Sequence, residues 1–155
     1  ASMFHYLATA KHEPTYDPDL AHISIEMYSR SKRVEHNWLT RFLSNKLEGD
    51  LTLEQLDLSK EVIRKKCIIG LLDEKSESLL RLERFFGWKF PTPQSRECLD
   101  RFLSFGWSNK NLHPLVEEGT IAWDLLYKQN ELDMMLYQYA QLVFEEQRSL
   151  FDQAT

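Results

Sequence analysis

The stretch that decides the fold runs from residue 59 to residue 88: SKEVIRKKCIIGLLDEKSESLLRLERFFGW. It closes a helical pattern that begins upstream and buries Leu53, Leu56, Val62 and Ile63. Arg64, Lys65 and Lys66 stand at its end, where the helix dipole favours cations. Residues 67–72, CIIGLL, are then short and continuously apolar, as for a strand buried on both faces. An acidic turn follows. Residues 76–86 return to helical spacing, with Leu79, Leu80, Leu82, Phe85 and Phe86 expected inward and Gly87 as the closing left-handed residue. A lone strand cannot satisfy its own backbone groups inside a core. Partner strands are therefore expected from residues 88–114, from upstream sequence or from another chain.

Working outward, residues 2–10 (SMFHYLATA) read as the end of a helix, and Pro14 and Pro18 break the chain. Residues 19–30 carry Leu20, Ile23, Met27 and Tyr28 at helical spacing. Residues 34–47 read as one amphipathic helix on Val34, Trp38, Leu39, Phe42 and Leu43. Thr52 and Gln55 form a capping-box pattern for the next helix. Residues 88–114 are irregular, with Pro91 and Pro93 as breaks and a short helix over 96–105. Helical pattern returns over 120–127. Asn130 with Asp133 caps a final helix reaching about Phe151. The expectation is one domain over residues 1–155, mainly α with one or few short β-strands.

A chain of 155 residues can bury a real core. Its 43% hydrophobic and 28% charged content is that of an ordinary globular domain. The net charge of −5 argues against nucleic acid or an anionic membrane as partner. Cations cluster at Arg30, Lys32 and Arg33 and at Lys60, Arg64, Lys65 and Lys66, a face that suits a small anion or is simply solvated. No run of 18 apolar residues offers a transmembrane helix. There is no signal peptide pattern and no initiator Met, so the chain reads as processed or partial. Cys67 and Cys98 make no metal motif; Cys67 is expected as a buried thiol, and a disulfide between the two is open. The histidines, His5, His12, His22, His36 and His113, show no metal-ligand spacing. No phosphate-loop, dinucleotide or nucleophile-elbow motif is present.

Four segments in order resemble the C-terminal half of the carbohydrate sulfotransferase family. They are SMFHYL at residues 2–7, EHNWLTRFL at 35–43, the run 59–88, and NELDMMLY at 130–137. The second is similar to a family pattern E-N-N-W-x-T-R-F-L, with His36 in place of an Asn. The fourth is similar to N-x-L-D-x-x-L-Y. The resemblance implies a partial P-loop-type α/β sulfotransferase-like domain, with PAPS as cofactor, a carbohydrate acceptor and a Golgi-lumen setting. It implies Ser2 at the position of a serine that holds the donor's 3′-phosphate, its arginine partner falling before residue 1. Asn37, Thr40 and Arg41 are implied to face a donor or sugar pocket; Arg41 pairing with Glu35 or Glu48 at the surface is the plain alternative. The loop that grips the donor's 5′ end is not among these residues, so no turnover is expected of this stretch alone. The competing reading is a structural or accessory subunit in a larger assembly, bound to other protein chains at an organellar site. For that reading the chain is rich in aromatics, with four Trp, nine Phe and six Tyr. Trp88, Phe90, Phe105 and Trp107 would then mark a docking face, or else fill a satellite core.

Overall fold

The computed structural model describes residues 2–105 and 115–152, with the backbone alone for residues 2, 3, 102, 104, 105 and 152. In order, the helices are α1 (Ser2–Thr9), a 3-10 turn (Pro18–His22), α2 (Ile25–Ser29), α3 (Trp38–Leu43), α4 (Leu53–Lys66), α5 (Lys75–Phe86), α6 (Pro93–Phe105), α7 (Ile121–Gln129), α8 (Glu131–Glu146) and α9 (Arg148–Asp152). The mainly α expectation holds. There is no strand among the described residues, and none of their helices is long and apolar enough to cross a membrane. The chain forms two compact units, residues 1–39 with 111–134, and residues 40–110 with 135–155.

In the first unit, Ala8, Leu20 and Tyr28 are buried, with Phe4, Leu7, Ile23 and Val34 packed around them. The Phe4 and Tyr28 rings lie 4.9 Å apart. Burial, with the charge of Glu35 second, pushes the Tyr28 phenol above its usual range. The expected helix over residues 19–30 is two pieces, because Ile23 and Ser24 are extended and the Ser24 hydroxyl caps α2 by accepting from Met27 N. Helix α2 packs on α7, where the Gln129 amide donates to the Ser29 carbonyl at 2.7 Å.

The expected helix over residues 34–47 shortens to α3. Asn37 (φ 49°) and Asn45 (φ 54°) bracket it in the left-handed region, which a continuous helix cannot pass through. Trp38, Leu39 and Phe42, expected to be buried, are 53%, 40% and 59% exposed.

In the second unit, Leu56, Ile63, Leu136, Val143, Phe144 and Phe151 are buried. The Thr52–Gln55 capping box forms as expected. Ser59, fully buried on α4, donates to the Thr40 carbonyl at 3.1 Å and so ties α4 to α3. Gly87 closes α5 at φ 65° as expected, but the face of α5 turned inward carries Ser78 and Arg81, not phenylalanines. Phe85 and Phe86 are 60% and 56% exposed. The Arg81 guanidinium lies 3.7 Å from the centre of the Phe144 ring and donates to the Phe144 carbonyl and to Glu77. One turn on, Arg84 donates to the Phe151 carbonyl at 3.1 Å. Two cations of α5 therefore cap the carbonyl ends of α8 and α9, where the helix dipoles favour them.

Residues 67–72 correct the sequence reading: they form no strand. The backbone groups that a sheet would have paired are met by side chains. The Gln147 carboxamide donates to the Cys67 carbonyl at 2.8 Å and accepts from Ile69 N at 3.0 Å. The Ser78 hydroxyl accepts from Leu71 N at 2.8 Å and donates to the Leu71 carbonyl at 3.1 Å. Cys67 is half-buried rather than fully buried, Cys98 is exposed, and both thiols are free. Replacing Gln147 with Ala strands one partly buried donor and one partly buried acceptor, a loss of about 1 kcal/mol or more. Urea unfolding of Q147A should show a lower midpoint at unchanged slope. Q147E, which can accept from Ile69 N but cannot donate to Cys67, should also lose stability at neutral pH.

Candidate functional site

Asn37 sits between two helices whose N-termini leave backbone N–H groups unpaired. Its side-chain oxygen accepts from Leu132 N at 3.0 Å and from Asp133 N at 3.1 Å, which are the second and third residues of α8. Its own N–H donates to the Asn130 side-chain oxygen at 3.0 Å. Asp133 returns the favour: its carboxylate accepts from Leu39 N, the second residue of α3, at 2.9 Å. The start of α8 is thus capped from Asn37 and the start of α3 from Asp133. This corrects the expectation that Asn130 with Asp133 caps the final helix. Asn130 instead holds Asn37 in place and turns its amide nitrogen to the Leu126 carbonyl at 2.8 Å.

Thr40 is fully buried, and its carbonyl accepts from the Ser44 hydroxyl at 2.7 Å as well as from Ser59. Half-buried Arg41 directs Nη1 to the Gly49 carbonyl at 2.9 Å and the Lys46 carbonyl at 3.4 Å, closing the loop after α3. Ser2 is the first residue of α1, and its side chain lies outside the described residues. Asn37 belongs to the first unit, and Thr40 and Arg41 to the second. An open cleft of about 620 Å³ in the first unit is lined by Ser24, Ile25, Leu115, Val116, Thr120 and Ile121 among others, and by none of these four residues.

The clustered cations mostly face carboxylates. Arg33 bridges Asp17 at 2.7 Å and Asp19 at 3.1 Å, and its guanidinium pKa is raised, first by the hydrogen bond it donates to Asp19. Arg30 meets Glu26 at 3.0 Å, Arg64 meets Glu146 at 3.2 Å, and Lys60 lies 3.7 Å from Asp57. Lys65 holds Glu61 below the usual carboxylate range, first by its hydrogen bond and then by its charge. The described residues hold no group of His, Cys, Asp and Glu fit for a metal ion. Of the aromatics between residues 88 and 107, Trp88 is 49% exposed and stacks on Phe86 at 5.1 Å. Phe90 is half-buried under the Arg96 guanidinium at 5.7 Å. The Phe105 ring and Trp107 lie outside the described residues.

The reciprocal caps escaped the sequence reading because they join residues about a hundred positions apart. The usable signal was an asparagine just before a short apolar helix, an identity that tolerates positive φ and also caps. Compared with models of known protein families, with curated proteins and with solved structures, the chain has no match.

Asn37→Ala removes both the cap and the residue type that tolerates φ 49°. Asn37→Gly removes only the cap. The glycine variant is expected to lose about 1 kcal/mol and the alanine variant a further 1 kcal/mol or so, read from paired denaturant midpoints.

Proposed function

We propose that the chain is the C-terminal part of a PAPS-dependent carbohydrate sulfotransferase, a P-loop-type α/β enzyme whose sheet is completed outside these residues. One observation carries the reading. In the segments that resemble the family at 35–43 and 130–137, residues 93 positions apart or more bond to each other through Asn37, Asn130 and Asp133. Two motifs that share a family pattern and cap each other's helices are a better match than two that share only composition.

In this reading Asn37, Thr40 and Arg41 work from behind the donor site. The Asn37 side chain accepts from backbone N–H groups of α8, Arg41 donates to the Gly49 carbonyl, and Thr40, whose carbonyl accepts from Ser59, has no surface with which to touch a nucleotide. Ser2 is left as the residue of this stretch that would meet the 3′-phosphate. A PAPS group bound there would supply the activated sulfate, and the chain's own contribution would be one hydroxyl donor and a rigid support.

A second reading, an accessory subunit of a protein assembly, is favoured by the exposed Phe85, Phe86 and Trp88, whose neighbouring rings lie 5.0 and 5.1 Å apart. Exposed aromatic groups of this kind mark docking faces. Isothermal titration of the natural protein with PAP, the desulfated donor product, separates the two. The enzyme reading expects a dissociation constant in the micromolar range, weakened about tenfold or more in Ser2→Ala by loss of a charge-assisted hydrogen bond. No heat at any concentration, from a protein that purifies with a constant partner, would decide for the accessory subunit.

A further inference from the structure

We draw no further inference here: the strongest candidate, the open and mostly apolar cleft of the first unit beside the starts of α2 and α7, carries no proposal because nothing in the structure shows what covers it.

Discussion

A backbone amide taken out of water needs a partner, and at Cys67 and Ile69 that need is met by one carboxamide. Gln147 is buried, one residue past the end of α8, and its own N–H still completes that helix by donating to the Val143 carbonyl at 2.9 Å. From there its side chain reaches the carbonyl where α4 ends and the amide two residues later. Ser78, in the first turn of α5, takes the next pair. The exit of α4, the extended run, the entry of α5 and the end of α8 are thus held by two polar side chains. Each must stay hydrogen-bonded, because an unpaired polar group in such a place costs more than the bond contributes.

The same arrangement recurs wherever helices end. Asn37 and Asp133 exchange caps, Ser59 takes the Thr40 carbonyl, and Arg81 and Arg84 close α8 and α9. This explains why the largest fully buried side chain of the second unit is an arginine. Arg81 spends its charge on Glu77, on a helix carbonyl and on the face of Phe144, although its second terminal nitrogen finds no partner among the described residues. With no sheet among the described residues to organise them, short helices are registered by side chains bonded to distant backbone.

Local chemistry made much of this legible. The capping box at Thr52, the left-handed Gly87, the apolar residues Leu56 and Ile63 and the helices near 121–129 and 131–146 are written in neighbouring residues. Two things were not. CIIGLL has the composition of a buried strand, and only the position of Gln147, some 78 residues away from Ile69, says that a side chain takes the neighbour's place. The inward face of α5 also defied its apolar pattern: burial is set by what faces a helix, and here Phe144 and two helix ends call for a guanidinium. Of the four candidate site residues, sequence placed Asn37, Thr40 and Arg41 on an important segment but could not show that Asn37 and Arg41 bond to backbone groups or that Thr40 is buried.

The exchanged caps have a kinetic side. Neither α3 nor the start of α8 can be finished by its own neighbours, since each takes its cap from a residue about 94 to 96 positions away. Such long closures carry a high chain-entropy cost and form late. The two helix starts should therefore order together near the end of folding and open together when the protein breathes, a single cooperative latch made of two side chains.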